Sequence, residues 1–453
     1  MHVLRSPYDR TEIRRIEHDA DEQMMAKLTR AQEAYRSWRT VPVSERVGRV
    51  EKCLKYFELH RNSIAIDVTR QMGKPLHESR AEVDMMLERA RACLNLAEVA
   101  LTPQVLPHKP GYVRRIEHQP MGVILVIATW NYPLLVPINV LITGLLAGNA
   151  VLLKHSPLTW LTGRAFAEAF TDLGPGLVND LVIDHQQAAR LMTDRRIAHV
   201  SFTGSARSGQ EVYQTVASSR LIDVGLELSG KDAAYVAEDA NLDFTVPCIV
   251  KGALYNAGQS CGSVERVYVH QSLYREFVER VEQELDKYVI GDPLERGTTL
   301  GPMARRQVLH FLEDQVLDAT DQGADLVTGG ELFGPFFRPT LLVDVPQSAK
   351  VMREETFGPI IAVARVASDD EAIKYVDDSR FGLTASIWTQ DCKRAERFAG
   401  AVEVGTVFQN RCDYLDPELP WTGVRDSGKG STLSVSGFFH VTRRKSVHFR
   451  TKT

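Results

Sequence analysis

Short apolar segments alternate with helical patterns along residues 122–228, and no other feature of the sequence constrains the fold as much. The apolar segments are rich in β-branched residues, as buried strands are, and the stretches between them repeat apolar residues at helical spacing. The predicted strands are 123–128, 150–153, 197–202 and 221–228. The predicted helices are 134–146, 158–173 and 205–217. This alternation predicts an α/β fold with a parallel sheet that is covered on both faces.

A second series of the same kind begins after residue 244, so the chain of 453 residues is expected to form more than one domain. Its predicted strands are 267–270, 341–345, 360–366 and 384–388. Residues 11–105 are predicted to be mostly helical. Two stretches of alternating polarity, 113–118 and 444–450, are predicted to be strands outside the main sheets.

The composition is that of an ordinary globular protein, with 44% apolar and 25% charged residues. A formal net charge of −4 gives no reason to expect nucleic acid or an anionic membrane as a partner. The six cysteines are scattered without a CxxC pair, which favours a reducing compartment, and we expect a cytoplasmic protein. The 13 histidines form no HxxxH pair, so no metal site is expected.

Two segments bear on targeting. The first ten residues contain no apolar run of the kind that a signal peptide needs. The stretch 133–153 is almost wholly apolar and long enough to resemble a membrane span. Because Gly148 and Asn149 interrupt it, we interpret it as a buried helix followed by a strand, with the span as a minor alternative.

Three side chains from separate segments carry the groups needed to oxidise an aldehyde through a thioester. Cys261 provides a thiol, which attacks a carbonyl carbon far better than a hydroxyl does. Asn131 provides an amide N–H that can stabilise the resulting oxyanion, together with the backbone N–H of Cys261. Glu227 can act as the general base that activates water to hydrolyse the thioester. Each has a structural alternative: an inert buried cysteine, an N-cap asparagine, or a solvated charge at a strand end.

The segments around these residues resemble the aldehyde dehydrogenase superfamily, from about residue 30 to the C-terminus. They occur in family order and with family-like spacing, so the set is specific although each member is weak. The segments are 129–133 (TWNYP), 154–156 (KHS), 202–205 (FTGS) with Gly209, 226–231 (LELSGK), 258–261 (GQSC), 354–359 (EETFGP), 420–423 (PWTG) and 427–430 (SGKG). The chain is similar to the shorter bacterial branch that includes some succinate-semialdehyde dehydrogenases.

The resemblance implies a Rossmann-like cofactor domain, an α/β catalytic domain and a small β oligomerisation arm. Residues 1–105 and 122–228 would form the NAD(P)-binding domain, and 229–430 the catalytic domain. Residues 106–121 and 431–453 would form the arm. Exposed strands of this kind need a partner, which the family provides as a second subunit in a homodimer or homotetramer.

The resemblance also implies which residues contact the cofactor. They would be Trp130, Lys154, Gly204, Ser205, Leu228, Glu355 and Phe357. Ser205 would begin a helix whose N-terminus suits a pyrophosphate. Lys154 would contact the adenine ribose and Glu355 the nicotinamide ribose, while Phe357 would pack near the nicotinamide ring.

The substrate would contact Tyr132, Ser260 and Trp421, in an entrance that also includes Val136, Asn139, Arg411 and Tyr414. Some succinate-semialdehyde dehydrogenases hold the distal carboxylate with an arginine near the Asn139 position. This chain has no arginine there, so the substrate is left open between semialdehydes and medium-sized or aromatic aldehydes.

Two departures from the usual pattern affect the expected chemistry, and one further segment is similar to a nucleotide-binding loop of another protein class. Pro157 stands where many NAD-preferring relatives have a glutamate that binds the ribose hydroxyls. A proline cannot accept those hydrogen bonds and would not repel a 2′-phosphate. NAD remains the expected cofactor, and NADP is an alternative. Ser229 replaces a glycine, and its hydroxyl could bond to Glu227. The segment 423–430 reads GxxxxGKG, but Gly430 lacks the hydroxyl that a nucleotide-binding loop needs for magnesium.

The predicted function is therefore the oxidation of an aldehyde to a carboxylic acid with NAD(P)⁺. One alternative is a coenzyme A-acylating dehydrogenase, which Glu227 disfavours because such relatives tend to lack it. The other is a non-catalytic binding protein that retains the fold, which the intact set of Cys261, Glu227 and Asn131 disfavours.

Overall fold

The computed structural model describes residues 2–451, which contain fifteen α-helices and twenty-two strands. The helices are α1 (Asp21–Trp38), α2 (Val43–Leu59), α3 (Arg61–Met72), α4 (Leu76–Leu101), α5 (Leu135–Ala147), α6 (Trp160–Ala169), α7 (His185–Thr193), α8 (Ala206–Ala217), α9 (Leu242–Leu254), α10 (Tyr274–Leu285), α11 (Gln307–Asp321), α12 (Lys350–Arg353), α13 (Asp369–Asp377), α14 (Cys392–Ala401) and α15 (Ser434–His440). The strands are β1 (His2–Arg5), β2 (Glu12–Ile16), β3 (Gln104–Val105), β4 (Tyr112–Pro120), β5 (Val123–Ile127), β6 (Ala150–Lys154), β7 (Val178–Asp180), β8 (Ile197–Thr203), β9 (Val224–Glu227), β10 (Asp232–Val236), β11 (Val264–His270), β12 (Asp325–Thr328), β13 (Leu332–Phe333), β14 (Phe336–Phe337), β15 (Thr340–Val343), β16 (Ile360–Val366), β17 (Phe381–Gly382), β18 (Thr384–Trp388), β19 (Thr406–Gln409), β20 (Val424–Arg425), β21 (Gly428–Lys429) and β22 (Thr442–Arg450).

The first large sheet has the order β21-β9-β8-β5-β6-β7, and all of its neighbours are parallel except β21. Every side chain of β5 and β6 is buried, as expected where helices cover both faces. The strand order runs in opposite directions from β5 to β6 and from β8 to β9. The carboxyl ends of such strands form a crevice where α/β proteins place ligands.

The second large sheet has the order β12-β15-β16-β11-β10-β18-β19, with only β12 antiparallel. A separate cluster of buried apolar side chains lies under each large sheet. The predicted α/β class and the strands of both series are confirmed. The predicted helix 158–173 is α6 followed by a short 3₁₀ turn at Thr171–Leu173, because the chain needs a tighter turn before Gly174.

A third sheet joins distant parts of the chain. Strand β22 pairs antiparallel with β4 from Thr442↔Pro120 to Arg450↔Tyr112, and β3 pairs with the other edge of β4. The expected strands at 113–118 and 444–450 are therefore present, and they pair with each other. The region 11–105 is helical in α1 to α4, with β2 at its start and β3 at its end.

Helix α5 shows how the long apolar stretch is accommodated. Twelve of its thirteen residues are buried, and it ends at Gly148, whose φ of 99° few other residues adopt without strain. The chain then turns directly into β6. Within residues 2–451, no helix is both long and apolar enough to cross a membrane.

Candidate active site

The carboxyl ends of β5, β8 and β9 bring the first group of predicted residues to one edge of the six-stranded sheet. Trp130 and Asn131 follow β5, Gly204 and Ser205 follow β8, and Glu227 is the last residue of β9. Parallel strands end at the same edge, so residues far apart in sequence become neighbours here.

Cys261 reaches the same place from a sharply turned loop after α9. Asn256, Ala257 and Gly258 all have positive φ values, of 55°, 54° and 71°. A Cβ atom on Gly258 would lie 2.2 Å from the carbonyl oxygen of Gly358, so only glycine fits there. The Asn256 amide donates to the carbonyl oxygens of Asn131 (3.0 Å) and Gln259 (3.1 Å), which ties this loop to the end of β5.

Cys261 and Glu227 are in direct contact. The Cys261 Sγ donates to Glu227 Oε1 at 3.2 Å, and the Trp421 indole Nε1 donates to the same oxygen at 3.3 Å. Burial raises the pKa of the Cys261 thiol well above its ordinary value, and the Glu227 charge raises it further. Burial also raises the pKa of Glu227, against the hydrogen bonds from Cys261 and Trp421. The resting pair is therefore a thiol beside a carboxyl group that can take its proton.

The Asn131 side chain is buried, and its Nδ2 donates to the carbonyl oxygen of Gln259 at 3.1 Å. That bond uses one of the two amide N–H groups, which leaves the other for a ligand. The Asn131 Oδ1 has no hydrogen-bond partner among the described residues. The fold therefore places Asn131 beside the loop that carries Cys261, and it places Cys261 in contact with Glu227.

A cavity of about 950 Å³ leads to Cys261 and Glu227. Its wall includes all the residues expected at the substrate entrance, which are Tyr132, Val136, Asn139, Ser260, Arg411, Tyr414 and Trp421. Ser260 donates to Asp413 Oδ1 at 3.0 Å, and burial raises the pKa of Asp413 to about 6. The volume is that of a small-molecule site.

Helix α4 supplies charged residues that the sequence analysis missed. Glu78 and Arg89 line the cavity, while Lys74, just before the helix, forms a fully buried ion pair with Glu82. Burial raises the pKa of Glu78 to about 8. These residues are spaced along one face of α4, and that spacing was the only signal in the sequence. Because other faces of α4 also carry charged residues, the spacing did not distinguish the buried charges from the exposed ones.

A second pocket, of about 480 Å³, lies at the start of α8 and has Ser205, Ser229 and Glu355 in its wall. Ser205 is the N-cap of α8, where its Oγ accepts from the N–H of Ser208 at 3.3 Å. A Cβ atom on Gly209 would lie 2.3 Å from Leu228 Cδ2, so the glycine lets α8 pack closely against the end of β9. The free N–H groups at such a helix start suit a phosphate.

Ser229 bonds differently from the expectation that its hydroxyl reaches Glu227. Its Oγ donates to Glu355 Oε2 at 2.7 Å and accepts from the N–H of Ala206 at 3.2 Å. The N–H of Gly230 donates to Glu355 Oε1 at 3.1 Å. Burial raises the pKa of Glu355 to about 7. Ser229 therefore links the start of α8 to Glu355, because the chain turns away from Glu227 after Leu228.

The remaining predicted cofactor residues line the same crevice edge. Lys154 ends β6 with a buried side chain, and burial lowers its pKa. Trp130 and Phe357 pack edge to face, with ring centroids 5.6 Å apart. Pro157 is exposed beyond Lys154 and provides no carboxylate. Together with the helix start at Ser205, these residues fit a dinucleotide that lies across the carboxyl ends of the strands.

Comparisons with known proteins agree with this geometry. A model described as the aldehyde dehydrogenase family matches residues 2–447. A succinate-semialdehyde dehydrogenase (NADP⁺) of Deinococcus radiodurans is 34% identical over 453 residues, which cover 99% of this chain and 94% of the relative. A 4,4'-diapolycopene aldehyde oxidase of a Methylomonas species is 37% identical over 431 residues, covering 91% of this chain and 79% of the relative.

A solved structure gives the same result. Succinic semialdehyde dehydrogenase from Streptococcus pyogenes, in complex with NADP⁺, superposes with a TM-score of 0.95 at 29% identity, over 99% of this chain and 100% of that one. The resemblance that the motifs indicated is thereby confirmed. The chain belongs to the aldehyde dehydrogenase family, and it is an NAD(P)-dependent oxidoreductase that acts on aldehydes.

Proposed function

We propose that the protein oxidises an aldehyde to a free carboxylic acid through a thioester on Cys261. The contact between Cys261 Sγ and Glu227 Oε1 at 3.2 Å is the observation that carries this proposal. The Glu227 carboxylate is a proton acceptor within hydrogen-bonding distance of the nucleophile. A thiol with a raised pKa needs such an acceptor before it can attack.

The first step forms a bond between Cys261 Sγ and the aldehyde carbon while the thiol proton passes to Glu227. The carbonyl oxygen becomes an oxyanion, which the second Asn131 amide N–H and the Cys261 backbone N–H stabilise. NAD(P)⁺, held by the cofactor residues, would supply the acceptor for the hydride of this carbon. Collapse of the oxyanion then leaves a thioester on Cys261.

The second step hydrolyses the thioester. Glu227, after releasing its proton to solvent, takes a proton from water, and the hydroxide adds to the thioester carbon. The C–S bond breaks and Cys261 leaves as the thiolate. The balance is one aldehyde, one NAD(P)⁺ and one water converted to one carboxylic acid, one NAD(P)H and one proton.

The residues proposed to hold the cofactor divide between its two ends. Ser205 and Gly204 would bind the pyrophosphate at the start of α8, and Lys154 would bind the adenine ribose. Glu355 would bind the nicotinamide ribose, with Trp130, Leu228 and Phe357 packed around the ring. Glu355 now bonds to Ser229 and Gly230, so it is already held in the wall of this pocket.

The test is formation of reduced cofactor from a panel of aliphatic, aromatic and ω-carboxylated aldehydes, with and without coenzyme A, beside Cys261→Ala. We expect turnover without coenzyme A, a carboxylate product, and loss of roughly 10⁴-fold or more in Cys261→Ala with cofactor binding retained. A requirement for coenzyme A would show the acylating alternative. Tight cofactor binding without turnover of any aldehyde would favour a binding protein.

For the cofactor, we propose that NADP is accepted as well as NAD. Pro157 has no carboxylate that would repel a 2′-phosphate. Lys154, at the end of the preceding strand β6, has a cationic side chain. The proposal is tested by kcat/KM with each cofactor, and a strong NAD preference with no measurable NADP rate would contradict it.

We also propose a homodimer or homotetramer that assembles through the three-stranded arm sheet and works in a reducing compartment such as the cytoplasm. Strand β22 is an edge of that sheet within the part of the chain that is described, and most of its side chains are exposed. All six cysteines are free. The proposed division remains 1–105 and 122–228 for cofactor binding, 229–430 for catalysis, and 106–121 with 431–453 for the arm.

A further inference from the structure

Arg89 is a buried cation in the wall of the substrate cavity, and it has no ion-pair partner among residues 2–451. Its side chain is only 7% exposed. The one hydrogen bond that it makes runs from Nη1 to Asn139 Oδ1 at 3.4 Å, which is long for a charged donor. A guanidinium has five N–H donors and stays protonated in proteins, so most of its binding capacity is unused.

Three carboxyl groups that interact electrostatically with Arg89 are engaged elsewhere. Glu82 binds the Lys74 ammonium and accepts from the N–H of Leu134 at 2.8 Å. Glu227 accepts from Cys261 and Trp421. Asp413 accepts from Ser260, and burial raises its pKa to about 6. None of them forms an ion pair with Arg89.

Other cations of the cavity wall are placed differently. Arg411 is exposed and lies over the Tyr414 ring, 3.3 Å from its centroid. Lys287 pairs with Glu284, and Lys251 is exposed to solvent. Only a cation that is both buried and unpaired needs an anion to offset its desolvation, because water no longer solvates it. Arg89 is that cation.

We infer that Arg89 is a specificity-determining residue that binds a carboxylate at the far end of the substrate, so the preferred substrates are short aldehydes with a terminal carboxylate. The inference rests on the proposed function. A bidentate pair between guanidinium and carboxylate uses the free donors of Arg89 and neutralises its charge. The anion therefore enters a site that is already built for it.

The arrangement of the residues that line the cavity between Cys261 and Arg89 agrees with this role. Val136 and Asn139 lie on one face of α5 and Tyr132 lies just before the helix, and all three line the cavity that contains Cys261. Asn139 lies at the far end of this face, where its Oδ1 contacts Arg89. Arg89 is close enough to the reacting pair that its charge opposes the rise in the pKa of Glu227. A substrate with a short carbon chain can therefore place its aldehyde at Cys261 and its carboxylate at Arg89.

The test compares kcat/KM for succinic semialdehyde with kcat/KM for butanal, which has the same number of carbons and no carboxylate. The wild-type enzyme should prefer the carboxylated aldehyde by about 100-fold or more. Arg89→Met should lower the ratio of kcat/KM for succinic semialdehyde to kcat/KM for butanal by about 30-fold or more, mainly through the KM for succinic semialdehyde, because any effect of Arg89 on Glu227 is shared by both aldehydes and cancels in the ratio. Arg89→Lys, which keeps the charge but not the fork, should lie between them.

Each outcome decides between roles for Arg89. Equal losses for both aldehydes in Arg89→Met would mean that Arg89 only supports Glu227 or the fold, and would overturn the inference. So would a wild-type enzyme without preference between the two aldehydes, a result that needs no variant to fold. Oxidation of butanal alone would leave the proposed function intact, whereas no oxidation of any aldehyde would reject the proposed function instead.

Discussion

At the scale of single residues, Cys261 and Glu227 set each other's protonation. The thiol is neutral at rest because burial and the neighbouring carboxylate both raise its pKa. Glu227 in turn is held by Cys261 and Trp421, and burial raises its pKa. Each group is therefore poorly suited to its role alone, and the reaction depends on proton transfer between them.

Glu227→Gln should separate the two halves of the reaction. Without a base for water, deacylation should slow by roughly 10²–10⁴-fold, while hydride transfer should slow less. Rapid mixing should then show a burst of reduced cofactor, equal to the number of sites, before a slow steady state. If both steps slow equally, Glu227 is not the hydrolytic base.

The same variant should also change the thiol. Loss of the Glu227 charge removes a cause that raises the pKa of Cys261, so the pKa should fall. The rate of alkylation of Cys261 by iodoacetamide, followed against pH, should show a midpoint at lower pH than in the wild type. Cys261→Ala serves as the control for alkylation at the other cysteines. An unchanged midpoint would mean that the two groups do not interact in solution.

The predicted site residues that the fold brings together are those whose neighbours along the chain are distinctive. Cys261, Glu227 and Asn131 each lie in a segment that matches a family pattern, so a local reading was enough. Arg89 has no such segment: its role depends on Asn139, from another helix, and on the lack of a partner. The bond from Ser229 to Glu355 was missed for the same reason, because it joins residues 126 positions apart.

At the scale of elements, α4 and α5 meet at the buried carboxylate of Glu82. Glu82 pairs with Lys74 and accepts from the N–H groups of Leu134 and Leu135, at 2.8 and 3.4 Å, at the start of α5. Carboxylates are favoured at a helix N-terminus, so Glu82 serves both partners. The sequence predicted α5 and a mostly helical region that contains α4, but the apolar pattern does not show which charged side chains are buried.

Lys74→Met should destabilise this junction, because it leaves Glu82 buried without its cation. The expected loss is about 3–5 kcal/mol in the free energy of unfolding, measured by denaturant titration. The double variant Lys74→Met with Glu82→Gln should lose less than the sum of the two single variants, because each breaks the same pair. Additive losses would indicate that the pair contributes nothing as a pair. Lys74 also lies 4.1 Å from the Tyr132 ring centroid, so KM should be followed in parallel.

At the scale of the whole molecule, the arm sheet joins the segment just before β5 to the C-terminal end of the described residues. Strand β22 lies at one edge of this sheet, and its outer side is available for pairing with a second subunit. Alternating polarity was enough to predict both long strands of the arm. The pairing of β22 with β4 was not predicted, because the register joins segments more than three hundred residues apart.

A matched pair of proline variants tests assembly through this edge. In an antiparallel ladder, the N–H groups of neighbouring residues point to opposite sides of the strand. Of Lys445→Pro and Ser446→Pro, one therefore removes an N–H that bonds to β4. The other removes an N–H that points away from β4, toward the open edge of the sheet. The outward variant should keep the thermal stability of a subunit and lose the oligomer, as measured by light scattering. An oligomer that survives in both variants would place the interface elsewhere.

The pairing of β21 with β9 has a consequence for protein synthesis. Gly428 lies opposite Glu227, the Ser427 carbonyl accepts from the N–H of Leu228 at 3.0 Å, and Trp421 holds the Glu227 carboxylate. A ribosome-bound chain that ends before residue 421 already contains Cys261 and Glu227, but it lacks the Trp421 hydrogen bond and the β21 pairing that help to hold Glu227 in the finished protein. The contacts that complete the surroundings of Glu227 therefore form only after residues 421–428 have been translated, so the site reaches its full geometry late in synthesis.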